Sequence, residues 1–126
     1  MEKETSRAVP ETISELRDRE NRLLACLSFS TERDIITQVR ITTTALCSDG
    51  QKKALDSLAG LIRGKAVMAA DLVTPDDILH SLGVPAENAD DEQYYYALMA
   101  LLTLKNALSG FADYRAAVNR GADHGS

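Results

Sequence analysis

The sequence predicts an all-α protein, a helical bundle of about five helices packed around one long and strongly apolar C-terminal helix, residues 91–119. Between Tyr94 and Leu104 only Thr103 is neither apolar nor aromatic, and the segment is rich in leucine, alanine and methionine, which favour helices. The segments that precede it repeat apolar residues at helical spacing. No pair of strand-like segments stands out against this pattern.

The composition predicts one domain. A chain of 126 residues with 44% hydrophobic and 26% charged residues is typical of a single globular unit with a sizeable core. Residues 1–9 are polar and lack a helix cap, so we expect a flexible N-terminal arm. Residues 10–121 form the predicted all-helical domain, and residues 122–126 a flexible tail.

The first predicted helix starts at Pro10, which suits a first helical turn, or at a capping box made by Thr12 and Glu15. Its charged run, residues 15–22, is interpreted as a solvated face because acids and arginines recur four residues apart. The opposite, apolar face consists of Ile13, Leu16, Leu23, Leu24 and Leu27.

Residues 35–46 fit two patterns. Ile35, Val39 and Leu46 lie on one face of a helix, but every second residue from Ile35 to Thr43 also fits a strand. The run 41–44 is β-branched throughout, which favours a strand. Because no second strand is available for pairing, we predict a helix.

Two further helices have well-marked starts. Ser48 and Gln51 form a capping box, and Thr74 caps a helix whose first residue is Pro75. Gly83 ends the short helix that Pro75 begins. The helix after Ser48 carries the clearest amphipathic stripe of the chain, which comprises Leu55, Leu58, Ala59, Ile62, Ala66, Ala69 and Val73.

The C-terminal helix has two apolar stripes on nearly opposite sides, at about 100° per residue. One contains Tyr94, Leu98, Leu101, Leu102, Leu104 and Leu108. The other contains Tyr96, Ala100, Ala107, Phe111, Tyr114 and Val118. We expect the first stripe to pack on the core of its own chain, with Tyr94 buried, and the second to form the interface of a homodimer. Gly110 leaves open whether the helix is broken there.

Two charged residues fall on apolar faces. Glu20 lies among the leucines of the first predicted helix, and Lys105 lies in the leucine stripe of the last one. A single buried charge is costly, so each side chain must reach water or find a partner. The two residues are therefore predicted as a candidate buried charge pair.

Charge and cysteine content exclude several function classes. The net charge of −5 disfavours nucleic acid and anionic membranes as partners, and no apolar run approaches the roughly 20 residues of a membrane span. We expect a cytoplasmic protein in which Cys26 and Cys47 stay reduced. The only histidines, His80 and His124, lack ligand spacing to a cysteine, so no metal, cofactor or catalytic residue is predicted.

Residues 74–93 resemble the first helix, turn and second helix of a helix-turn-helix unit, with Gly83 at the turn glycine. The resemblance implies a DNA-recognition helix after the turn. That segment carries Glu87, Asp90, Asp91 and Glu92, and no lysine or arginine between residues 84 and 104. Because phosphate contacts dominate DNA affinity, we interpret the unit as a helical corner and not as a DNA reader.

The segment LRDRENRLLACL, from Leu16, looks slightly like the first helix of the all-helical chorismate mutases. In that family arginines and a lysine from several helices clamp a dicarboxylate. The resemblance implies an anion site, and the residues that would supply its charges are Arg17, Arg22, Arg40, Arg63 and Lys105.

Two functions follow. The first is a non-catalytic protein-interaction module, an acidic regulator, adaptor or chaperone that acts as a helical homodimer and binds a protein partner. The alternative is a small all-helical enzyme or ligand-binding domain with a chorismate-mutase-like arginine and lysine site for an anionic metabolite. A pocket that holds two or more of those cations would favour the alternative, and a solid leucine core would oppose it.

Overall fold

The computed structural model describes residues 12–125, apart from the side chains of residues 12, 86, 114, 115 and 117–125. It contradicts the all-α prediction and the helical bundle. A three-stranded antiparallel sheet precedes the helices, and the protein is α+β, about half helical and a quarter strand. The predicted arm, residues 1–9, lies outside the described residues. The backbone of residues 122–125 is helical, and the flexibility of that tail stays a prediction.

The sheet has the order β1 (Thr12–Arg17), β2 (Leu23–Glu32), β3 (Ile35–Thr43). The hairpin between β2 and β3 turns on Arg33 and Asp34, which both have positive φ angles, 56° and 65°. A two-residue turn of this kind matches the right-handed twist of the strands that it joins. The helices predicted for the first segment and for residues 35–46 are both wrong, because the first segment forms β1 and most of β2 and residues 35–43 form β3, which pairs with β2.

The sheet buries one face. On β1 the buried residues Ser14 and Leu16 alternate with exposed ones, which is the two-residue period of a strand. They pair with Leu27 and Ala25 of β2, so all four side chains lie on the inner face. Phe29 continues this row.

Four helices follow the sheet: α1 (Asp49–Ile62), α2 (Val67–Ala70), α3 (Pro75–Ser81) and α4 (Asp91–Gly125), with a 3₁₀ turn at Ala86–Asn88 before α4. The capping box predicted at Ser48 and the cap predicted at Thr74 are both present, and Thr74 also forms a capping box with Asp77. The stripe predicted to run to Val73 in one helix is divided, because α1 ends at Ile62 and Gly64 takes a φ of 86°. Gly110 does not interrupt α4.

The core lies between the sheet and α4. α4 crosses the inner face of β1 and β2, and α1 packs against both α4 and β3. The segment after α1 pairs with the start of β3: the amide of Ile36 donates to the carbonyl of Lys65, and the amide of Gly64 donates to the carbonyl of Ile36. The fully buried side chains at the centre are Leu27, Phe29, Ile36, Leu55, Leu58, Ile62, Ile78, Leu79 and Leu104.

Candidate functional site

The stripe predicted as the homodimer interface lies largely inside the molecule. Ala100, Ala107 and Phe111 are buried in the core of their own chain. The ring of Phe111 meets that of Phe29 on β2, with 5.8 Å between ring centroids. The core of the same chain, with β2 in contact at Phe111, therefore occupies the place assigned to a second subunit at these three positions. The homodimer itself stays a prediction.

The remaining interface residues lie elsewhere. Tyr96 is half-buried against α1, and the side chains of Tyr114 and Val118 lie outside the described part. The expectation that Tyr94 is the buried tyrosine is wrong, because 45% of its surface is exposed. The buried side of α4 falls between the two predicted stripes and takes residues from each, such as Leu104 and Ala100.

The opposite side of α4 is apolar and exposed. Tyr95, Leu98 and Leu102 follow the spacing i, i+3, i+7, which places them on one helical face, and Tyr94 lies beside them. Tyr94, Tyr95 and Leu102 are exposed, and Leu98 is half-buried.

Two more apolar side chains come from the segment around α2. Met68 is 83% exposed and Leu72 is 76% exposed. The segment is tied to α4, because the ammonium of Lys105 donates to the carboxylate of Asp71 at 2.8 Å and also to its backbone carbonyl. We name the six residues Met68, Leu72, Tyr94, Tyr95, Leu98 and Leu102 the helix patch.

Two of the six residues of the helix patch carry a weak signal in the sequence. Met68 and Leu72 are large apolar residues that lie off the stripe ending at Val73, and they could have been recognised as surface residues for that reason. Leu98, Leu102 and Tyr94 belong to the stripe that was expected to face the core. Their exposure depends on where the sheet packs, which the sequence did not reveal.

Glu20 and Lys105 are not brought together. Glu20 lies in the turn between β1 and β2, where its carboxylate accepts a hydrogen bond from Arg22. Lys105 pairs with Asp71 instead. Both charges remain in contact with water, so neither carries the cost of burial that suggested a pair.

The five cations of the anion-site alternative are divided among three places. Arg17 bonds to Glu15 on the same strand, and Arg22 bonds to Asp18 in the following turn. Lys105 lies on α4 with its own acidic partner. Only Arg40 and Arg63 line the same groove, at the edge of β3.

The helix-turn-helix resemblance corresponds to a corner between α3 and α4. Gly83 has a φ of 79° and turns the chain after α3, as the resemblance implied. The next helix does not start directly, because a 3₁₀ turn intervenes before Asp91. The corner presents Glu87, Asp91 and Glu92 to solvent.

The two cysteines are free and half-buried, and they lie apart in the fold. Cys26 is on β2, not in a helix, and Cys47 lies just before α1. Burial raises the pKa of the Cys47 thiol, which favours its protonated form. Within residues 12–125 no group of histidine, cysteine and acidic side chains could hold a metal ion, and no helix is long and apolar enough to cross a membrane.

A second concave surface lies between α1, α3 and α4, with a volume of about 290 Å³. Leu79, Leu82 and Tyr96 supply its apolar part, and Lys53 and Glu92 stand at its polar part. The described residues that line it include no serine, threonine, cysteine or histidine.

No protein-family model matches this chain, and a search of curated proteins found no match. The geometry of the molecule is therefore the basis for a functional proposal.

Proposed function

We propose that this protein is a non-catalytic protein-interaction module, a cytoplasmic regulator, adaptor or chaperone, and that it docks its partner on the helix patch. The observation that carries the proposal is the exposure of Met68 and Leu72 on the segment that Asp71 joins to Lys105 of α4, together with the exposed Tyr95 and Leu102 on the outer side of α4. Isolated exposed apolar residues are ordinary on protein surfaces, but grouped ones mark interaction sites.

The composition of the helix patch supports a protein partner. Tyrosine and methionine are enriched in protein interfaces, where they supply large contact areas. Tyr95, Leu98 and Leu102 form a row along α4 against which a second helix could lie. Asp91 precedes this row on the same helical side, and it favours a partner that carries basic residues beside its apolar stripe.

The proposed homodimer would also have to form on an exposed surface such as the helix patch. Since Ala100, Ala107 and Phe111 are buried in the core of their own chain, a second copy would have to meet the helix patch or another exposed face. The fold does not support the alternative of a small all-helical enzyme, because the segment that resembled the first chorismate-mutase helix forms β1 and β2.

Site-specific photocrosslinking in the source cells tests the proposal. A photoreactive residue replaces Leu72, Leu102 or, as a control, Thr42, which is exposed on the sheet. We expect the same protein to crosslink from positions 72 and 102 and not from position 42. If positions 72 and 102 give no product that position 42 lacks, the helix patch is not a docking surface.

Binding to the purified partner gives the quantitative test. Leu102→Arg should weaken binding about tenfold or more, equivalent to about 1.4 kcal/mol. Thr42→Arg is the matched control, because it adds the same charge at an exposed position of the sheet, outside the helix patch, and should change the affinity little. Equal affinities of the two variants would contradict the proposal. Light scattering at tens of micromolar shows whether the crosslinked partner is a second copy.

A further inference from the structure

A groove on the sheet combines two arginines with two serines. β2 and β3 pair so that Ser28 stands opposite Arg40 and Ser30 stands opposite Gln38. Directly opposed residues of an antiparallel pair project from the same face, so these four side chains share one side of the sheet. This is the side away from the core, because the alternate residue Phe29 points inward and is buried.

Arg63 completes the groove from outside the sheet. It follows the last residue of α1, and its amide donates to the carbonyl of Ala59. The next residue, Gly64, donates to the carbonyl of Ile36 at 2.7 Å, which holds the end of α1 against the start of β3. Arg63 is thereby fixed beside Arg40, although 23 positions separate them in the sequence. We name this site, lined by Ser28, Ser30, Thr37, Gln38, Arg40 and Arg63, the sheet groove.

The charge of the sheet groove is unbalanced. None of the described residues that line it is acidic. Among the described side chains, neither Arg40 nor Arg63 forms an ion pair, whereas Arg17 and Lys105 each form one and Arg22 forms two. Two uncompensated guanidinium groups in one groove are unexpected in a chain of net charge −5. They create a local field that attracts anions.

The serines leave space and supply polar groups. Ser28 and Ser30 are 8% and 7% exposed, so the floor of the sheet groove is shielded from bulk water. A hydroxyl donates one hydrogen bond and accepts two, so it can serve either an anion oxygen or a polar substituent. The sheet groove has a volume of about 230 Å³, which is room for about seven water molecules at roughly 30 Å³ each. A ligand larger than an inorganic phosphate ion therefore fits.

We propose that the sheet groove binds a small phosphorylated molecule. Arg40 and Arg63 hold the phosphate, and the remainder of the ligand lies towards Ser28, Ser30 and Gln38. A phosphate monoester carries a charge of about −1.5 to −2 at pH 7. This charge balances the two guanidinium groups better than the single negative charge of a carboxylate ligand does. Arginine also presents paired N–H donors in the geometry that phosphate oxygens accept. The proposal is independent of the helix patch, because no residue belongs to both.

Titration with inorganic phosphate, followed by ¹H–¹⁵N NMR at constant ionic strength, tests this inference. We expect saturable shifts of the backbone amides of Ser28, Ser30 and Gln38. Arg40→Gln and Arg63→Gln should each weaken binding about tenfold or more, since a lost hydrogen bond to a charged group has an effect of that order. Arg19→Gln is the matched control, because it removes one exposed arginine from the turn between β1 and β2.

Ser30→Val provides a variant that leaves the charge unchanged. Valine suits a strand and fills the floor of the sheet groove, so binding should weaken while the protein stays folded. Non-saturating shifts up to millimolar phosphate would overturn the proposal, as would an equal loss of affinity in Arg19→Gln. Succinate in place of phosphate tests the ligand class: if it binds as tightly, the site recognises dianions in general and the assignment to phosphate is wrong.

Discussion

The ring of Tyr96 on α4 lies directly against Gly50 in the first turn of α1. A Cβ atom at position 50 would be 2.4 Å from Cε2 and 2.6 Å from Cδ2 of that ring, closer than real Cβ atoms approach. The backbone angles do not demand glycine here, since Gly50 lies within a regular helix. Glycine is required because the ring comes so close, and this contact sets the approach of α1 to α4.

We expect Gly50→Ala to have opposite effects in two backgrounds. In the wild type the new methyl group meets the ring of Tyr96, so the free energy of unfolding should fall. In a Tyr96→Ala background the clash is absent, and the better helix propensity of alanine should raise that free energy by up to about 1 kcal/mol. Urea unfolding of the four proteins measures the difference. The same effect in both backgrounds would show that the contact does not constrain position 50.

Ser14 is expected to tolerate the loss of its hydroxyl. Its side chain is buried on the inner face of β1, and among the described residues its Oγ has no hydrogen-bond partner. An unsatisfied buried hydroxyl costs about 1–3 kcal/mol by mutational data. Ser14→Ala should therefore be neutral or raise the free energy of unfolding by about 1 kcal/mol. A loss of more than about 1 kcal/mol in urea unfolding would mean that the hydroxyl is satisfied in solution.

Asp18 should titrate below its ordinary range. The hydrogen bond from the backbone amide of Arg22 lowers the pKa of Asp18 most, and the Arg22 side chain and the amide of Glu20 lower it further. A carboxylate with a pKa lower in the folded than in the unfolded chain stabilises the fold above the unfolded value, and this contribution disappears as the pH falls through the folded value. The carbon chemical shift of the Asp18 carboxyl should therefore give a midpoint below 3.8.

Unfolding as a function of pH supplies the control for Asp18. Asp18→Asn should remove part of the loss of stability in acid, because asparagine does not titrate. Asp76→Asn removes the same charge from an exposed position of α3 without touching the turn, and it serves as the matched variant. A midpoint of 3.8 or higher for Asp18 would contradict the assigned hydrogen bonds.

The helix starts could be predicted because their bonds are local. Ser48 and Gln51 satisfy each other's backbone amides within four residues, and so do Thr74 and Asp77. Such motifs are complete in the sequence itself. Gly83 was recognisable for the same reason, because a turn after a short helix needs only its neighbours.

The strands were missed because their pairing is not local and their pattern is obscured. On β2 residues of both faces are buried: Ser28 and Ser30 on the outer face as well as Leu27 on the inner face. A strand covered on both sides loses its alternation and resembles a helix. The Arg33–Asp34 turn also lacks the glycine or asparagine that usually marks a tight hairpin.

The sites depend on the same missing information. Arg40 and Arg63 were recognised as candidates for an anion site, but only the pairing of β3 with the segment after α1 brings them together. The apolar residues of α4 extend around the helix, so the sequence could not decide which side the core covers. Tyr94 was assigned to the core and is exposed, and the ring of Tyr96 lies against Gly50 of α1.

The position of Ala107 allows a direct test of the fold against the predicted dimer. Ala107 is 0% exposed, and α4 packs on the inner face of β1 and β2. Arginine there would add a buried charge and excess volume, and overpacking alone costs about 1–3 kcal/mol. We therefore expect Ala107→Arg to lose its cooperative thermal transition, or to lower the free energy of unfolding by more than about 3 kcal/mol, a large share of the 5–15 kcal/mol typical of a domain.

Asn106→Arg is the matched control for Ala107→Arg, because the neighbouring residue points to solvent and should accept arginine within about 0.5 kcal/mol. Near-ultraviolet circular dichroism of the four tyrosines reports packing, and light scattering reports mass. A subunit seam predicts a different outcome, namely a folded Ala107→Arg monomer derived from a wild-type dimer. If both variants keep equal stability and only Ala107→Arg changes mass, the second stripe of α4 faces another subunit and the sheet does not cover it.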